Sequence, residues 1–152
     1  MSNMATKKAT NELEKVLKVL GPYGGTIKTD APSTWWNLEA TIDPEYDDNQ
    51  MEVFIGLYSQ LNGDIVSDPS FSLILTMEDN NIASIEIMEC DEFSPIYRDC
   101  YIDSQNIWHS YSGLAQKDPL GLKKRFSEFM NTIVNLGPYL NESAVITKFM
   151  EV

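Results

Sequence analysis

Basic residues are almost missing from the middle of this chain. Between Ala31 and Ser110 it carries sixteen Asp and Glu against a single cation, Arg98. The first 30 residues carry five lysines against three acids, and the last 42 carry five Lys or Arg against four. The formal charge of −12 is therefore concentrated in one stretch. A one-signed field of this kind repels nucleic acid and acidic membrane surfaces and attracts basic ones. Direct nucleic-acid binding, whose strength comes from neutralised phosphates, is disfavoured. The one basic cluster, Lys123-Lys124-Arg125, reads as a solvated helix face.

Other scarcities bound the class further. Two cysteines, Cys90 and Cys100, are too few for a disulfide scaffold. No apolar run approaches the length of a membrane span. The opening residues MSNMATKKATNE hold two lysines with no apolar core behind them, unlike a secretory signal. The expectation is a protein of the bacterial cytosol with reduced thiols and no membrane partner. Disorder needs low hydrophobicity as well as high charge, and 43% hydrophobic residues argue for a packed core. At 152 residues, one domain is expected.

What is present reads as helix, strands, helix. Residues 1–10 look like a flexible arm. Asn11 with Glu14 forms a capping-box pattern, and Leu13, Val16, Leu17 and Leu20 share one helical face before Gly21-Pro22. Trp36, Leu38, Ala40 and Ile42 then alternate with polar residues, up to an acidic turn over Asp43–Asn49. Met51–Ser59, Phe71–Met77, Ala83–Met88 and Ile96–Ile102 supply four more strands, separated by turn residues such as Asn62-Gly63-Asp64 and Asp79-Asn80-Asn81. Asp118-Pro119 opens a second helix, with Leu122, Phe126, Phe129, Met130, Ile133 and Leu136 on one stripe, and Gly137-Pro138 ends it. The string Leu-Gly-Pro-Tyr occurs at 20–23 and 136–139, each time as a helix stop. The tail from Glu142 fits either helix or strand. The predicted fold is α+β: an N-terminal helix, an antiparallel meander of about five strands, and a C-terminal amphipathic helix packed on one sheet face.

Constellations for chemistry are sparse. The single histidine, His109, has no nucleophile elbow or cysteine-protease signature near it. Gly24-Gly25 lacks the Gly-Lys-Ser ending of a phosphate loop. Cys90, Cys100 and His109 are spaced too widely for a zinc knuckle. Asp43, Glu45, Asp47, Asp48 and Asn49 crowd hard oxygens into a short segment but lack the EF-hand positions, so they read as a solvated turn. Asp64 and Asp68 are four apart, and a carboxylate pair can do acid–base work. Asn62-Gly63-Asp64 and Asp68-Pro69 are also what two consecutive turns look like, and turn chemistry is the favoured reading. No catalytic residue, metal site or cofactor is assigned.

The run Tyr58-Ser59-Gln60-Leu61-Asn62-Gly63-Asp64-Ile65-Val66-Ser67-Asp68-Pro69, followed by the alternating strand Phe71–Met77, resembles a family of short uncharacterised proteins from gut bacteria, their plasmids and phages. The likeness covers residues 50–90 and is only loosely echoed at Ile107–Leu114. It implies a mobile-element setting and carries over no activity.

The first functional expectation is a non-enzymatic acidic module that docks on a basic, nucleic-acid-binding surface of a bacterial protein. Its contact residues would be Trp35, Glu39, Asp43, Glu45, Asp47, Asp48, Glu52, Phe54, Tyr58 and Glu86, aromatics anchoring and acids steering. A second is a phage or mobile-element assembly protein that self-associates through the same face. A third is a hydrolase using Asp64 and Asp68. Homo-oligomerisation is left open.

Overall fold

Four long strands with strict apolar alternation set the architecture. In the computed structural model, which describes residues 5–29, 36–61, 64–91, 100–102, 108–110, 115–116 and 120–150, these strands are β2 (Asn37–Asp47), β3 (Gln50–Leu61), β4 (Asp64–Glu78) and β5 (Asn81–Asp91). They pair antiparallel in succession. Leu38, Ala40 and Ile42 of β2 lie in register with Leu57, Ile55 and Val53 of β3. Val53 and Ile55 in turn face Leu73 and Phe71 of β4, and Leu73 and Leu75 face Ile87 and Ile85 of β5. Because successive side chains alternate, this puts nearly all the large aliphatics of the meander on one face. They are buried.

The meander extends at both ends. Strand β1 (Gly24–Lys28) pairs with β2, and the short β6 (Cys100–Ile102), β7 (Trp108–Ser110) and β8 (Ala115–Gln116) continue beyond β5. The C-terminal segment resolves as a strand, β9 (Val145–Lys148), antiparallel to β1. The sheet order is β8-β7-β6-β5-β4-β3-β2-β1-β9, nine strands among the described residues where about five were expected. β1 escaped the sequence pattern because Gly24-Gly25 carries no apolar alternation; Ile27 is its one large buried residue.

Both helices cover the apolar face. Helix α1 (Lys7–Leu20) sends Ala9, Leu13, Val16 and Leu20 into the core. It starts earlier than Asn11: Thr6 is the N-cap, its hydroxyl accepting the Ala9 N–H at 3.2 Å. Residues 5–10, expected within the arm, belong to the fold. The Ala5 N–H donates to the Ile85 carbonyl at 2.9 Å and occupies part of the β5 edge that β6 leaves uncovered. Helix α2 (Leu120–Asn131) buries Leu122, Phe126, Phe129 and Met130, with Phe126 edge-on to Phe71 at 5.3 Å between ring centroids. The expected helix start at Asp118-Pro119 lies outside the described residues.

Leu136 departs from the expected stripe and is 66% exposed. The cause is a π-helical turn over Thr132–Leu136, closed by the Gly137 N–H bonding the Thr132 carbonyl at 2.7 Å. The wider turn keeps Ile133 buried and rotates Leu136 off the stripe. Asn135, in the same turn, donates to the buried Glu12 carboxylate of α1 at 2.6 Å.

Three expectations shift along the strands. Ala83 is exposed and Ile82 is buried in its place, because the β4–β5 register slips by one residue between Thr76 and Met77. The acidic segment after Ile42 is not a terminal turn: β2 runs on to Asp47 with a bulge between Asp43 and Asp47, where the Asp43 Oδ1 accepts the Glu45 N–H at 3.1 Å. Asp64–Pro69 is likewise strand, with Asp68-Pro69 placed where the β3–β4 register shifts between Gly56 and Tyr58. A proline is tolerated in a sheet at such a shift.

After the π turn the chain bends at Gly137-Pro138 and drops Tyr139 into the core. Its hydroxyl donates to the Trp36 carbonyl just before β2. Burial pushes its pKa from 10.0 up to about 12. Since the folded value lies above the unfolded one, this contribution to stability is complete below pH 10 and is lost as pH rises toward 12. Tyr139→Phe leaves the carbonyl without its donor and should cost about 1 kcal/mol in urea unfolding at neutral pH. The variant should also lose less stability than wild type between pH 10 and 12. Equal alkaline losses in the two chains would show that the buried phenol does not set that limb.

Candidate protein-binding face

With the apolar residues turned inward, Glu39, Asp43, Glu52, Glu86 and Glu89 fall on the opposite face. Strand register lays them out in rows. One row runs Asp43, Glu52, Ile74, Glu86 across β2–β5. The next runs Thr41, Phe54, Ser72, Glu89. A third runs Thr26, Glu39, Gly56, Ser70. Phe54 stands near the middle of this surface, 44% exposed, with Thr41 and Ser72 directly across from it and Glu52 two positions away on its own strand. Glu39 and Asp43 take the diagonal positions on β2. Tyr58, half-buried, lies opposite Asn37 on the same face.

The structure therefore brings Glu39, Asp43, Glu52, Phe54, Tyr58 and Glu86 onto one face. Glu45, Asp47 and Asp48 sit apart from it, exposed at the β2–β3 hairpin end beside Tyr46, with the Asp47 Oδ1 accepting the Asp48 N–H at 2.8 Å. Trp35 lies outside the described residues. Asp64 and Asp68 fall on the first half of β4, with Asp64 paired to Leu61 and Asp68 at the register shift. Cys90 and Cys100 are direct register partners on β5 and β6, whereas His109 belongs to the adjacent row with Tyr101.

Sequence reasoning missed a cleft of about 330 Å³ where the end of α1 overhangs the hairpin ends of the sheet. Leu17, Ile42, Met51, Met77 and Ile82 line it. The Glu14 carboxylate on its wall accepts the Ile82 N–H at 3.3 Å. Its parts come from α1 and from four strand ends far apart in the chain, so no local pattern announces it. Lys18, one turn beyond Glu14 on α1, lines it too, so the cleft is an apolar floor with charged groups on its helical wall.

The acid rows leave an energetic mark. Asp43 and Glu52 are direct cross-strand partners, a like-charge pairing that opposes folding. Glu52→Gln should therefore raise stability at low ionic strength by up to about 0.5 kcal/mol. The gain should fade near 1 M salt, where screening is nearly complete. Thermal unfolding at two salt concentrations checks this, and a destabilised variant would show that Glu52 is held by favourable contacts instead. Comparison of the chain with protein-family models, with curated proteins and with solved structures finds no match to any of them.

Proposed function

We propose that the protein is a non-enzymatic binding module whose outer sheet face docks on a basic protein surface, of the kind that otherwise holds nucleic acid. The observation that carries this reading is the placement of Phe54. A phenyl ring left 44% exposed amid Glu39, Asp43, Glu52 and Glu86 combines an apolar anchor with a rim of one charge. Anchors of this type supply most of the energy of an interface, and rim charges supply on-rate and orientation. The like-charge pair Asp43–Glu52 supports the reading too, since a face selected only for stability would not oppose two carboxylates. In the mobile-element setting that the resemblance implies, such a module acts as an inhibitor, covering the basic site of a host protein.

The test is capture from bacterial lysate at low salt, followed by titration against the purified partner. The expected partner is basic, and its affinity should fall steeply with ionic strength. Phe54→Ala should weaken binding at least about tenfold, the loss typical of an interface anchor. Glu52→Lys together with Glu86→Lys should weaken it further while leaving the fold intact. Recovery of no basic partner, or a partner indifferent to all three substitutions, would remove the outer face from consideration.

A further inference from the structure

The acidic face is not the only unprotected surface. At the β1 edge of the sheet, β9 presents its free side with no covering element among the described residues. Natural edges are blunted by charge, proline or bulges. Here the edge carries Val145 at 61% exposure, Ile146 at 41% and, just beyond, Met150 at 84%. Leu136 and Leu140, also exposed, precede it in the connection from the π turn. An apolar edge with open main-chain groups is a template for another strand.

We propose that this edge is a homodimer interface in which β9 pairs antiparallel with β9 of a second copy, joining two sheets into one. Charge selects the occupant. A chain of net charge −12 can meet itself only away from its acidic face. Over Leu136–Met150 the ionisable side chains are Glu142, Lys148 and Tyr139, the last buried and uncharged at neutral pH, so the formal charge there is zero. A basic partner finds its complement on the outer face instead.

The backbone fixes which residues can bond outward, and charge narrows the register. The Phe149 N–H donates to the Gly24 carbonyl at 2.9 Å, and alternate residues of a strand turn their main-chain groups to opposite sides. Val145 and Thr147 therefore bond inward to β1, while Ile146 and Lys148 hold their N–H and C=O toward the open side. In a two-fold pair, Ile146 of each copy exchanges both bonds with Lys148 of the other. Thr147 then meets Thr147 on the axis, and Val145 meets Phe149. No like charges are opposed, and the Lys148 stem lies across Ile146. This interface shares no residue with the outer face of β2–β5, so it stands or falls separately from the binding function proposed above.

Light scattering of the purified full chain at roughly 100 µM, above the dissociation constants of weak specific dimers, should report twice the mass of one chain. Ile146→Pro should make it monomeric with an unchanged circular dichroism spectrum, because the N–H it removes faces away from β1. The same variant should keep its salt-sensitive partner capture. Thr147→Cys provides an independent reading. Non-bonded cross-strand pairs hold their Cα atoms at about 4.5 Å, within the roughly 4.4–6.8 Å of a disulfide. Under oxidised glutathione, which takes up the two electrons, it should therefore form a disulfide-linked dimer beyond the baseline that Cys90 and Cys100 give the wild-type chain. Val145→Cys, four positions out of register with its twin, should stay at that baseline. A monomeric wild-type chain, a dimer that survives Ile146→Pro with its fold intact, or equal cross-linking at 145 and 147 would each overturn the proposal.

Discussion

Pleat parity across β2–β5 is the constraint on which the rest of the molecule depends. Leu38, Ala40, Ile42, Val53, Ile55, Phe71, Leu73, Leu75, Ile85 and Ile87 are buried together only in the observed register. A slip of one residue at any of the three pairings would move an entire apolar set to solvent and bring acids beneath the helices. Unpaired carboxylates cannot be held in such a core, so the alternation of Glu39, Glu52 and Glu86 with aliphatics acts as negative selection against wrong registers. The acidic face and the core are two readings of one pattern. The bulges are where that pattern yields: between Asp43 and Asp47, between Gly56 and Tyr58, and within β5 around Ala83 and Met88. The shifts in β4 and β5 each restore the correct face after one extra residue, and the one in β2 absorbs two.

This explains what the sequence disclosed. The α+β class, the two helical stripes and the inward set of the first three long strands follow from period and composition, because burial imposes them locally. The outer-face grouping of Glu39, Glu52, Phe54, Tyr58 and Glu86 follows from the same alternation. What escaped depends on chain neighbours distant in sequence. β1 exists because Gly24 and Gly25 let β2 and β9 close in on either side: a Cβ on Gly24 would lie 2.0 Å from the Ala40 carbonyl oxygen, and one on Gly25 2.2 Å from that of Thr147. β9 is a strand because β1 offers it an edge. The apolar cleft beneath α1 needs strand ends from four elements. None of these has a period.

The repeated Leu-Gly-Pro-Tyr string shows how far letters and physics diverge. At 20–23 the glycine sits at φ +100, a left-handed C-cap whose N–H returns to the Leu17 carbonyl at 3.0 Å. Its tyrosine, Tyr23, lends its carbonyl to the Ile42 N–H at 3.2 Å. At 136–139 the glycine is extended, at φ −89. It is required for space instead: a Cβ there would lie 2.8 Å from the Tyr139 ring. One string stops an α-helix by backbone conformation, and the other lets a buried tyrosine fold back beneath a π turn. Both nevertheless serve the same edge. Gly21 leads the chain into β1, with the Lys148 stem packed 3.5 Å from where its Cβ would be. Gly137 and Tyr139 fix the point from which the chain turns toward β9.

The two ends of this design carry opposite surface chemistry for a common reason. Across β2–β5, long hairpin strands pair on both sides, and side chains alone face solvent, so charge can accumulate there at little structural cost. At β9 a strand of four residues is held by one neighbour, and its backbone is itself the exposed surface. Acids placed there would add nothing to a short ladder that rests on one neighbouring strand. The chain instead places Val-Ile-Thr-Lys at that edge, β-branched residues that favour extended backbone, followed by a cation whose stem can lie against the cap of α1. The segregation of charge in the sequence is thus laid out on the sheet, with acids on the outer face of the paired interior strands and an acid-free strand at the edge.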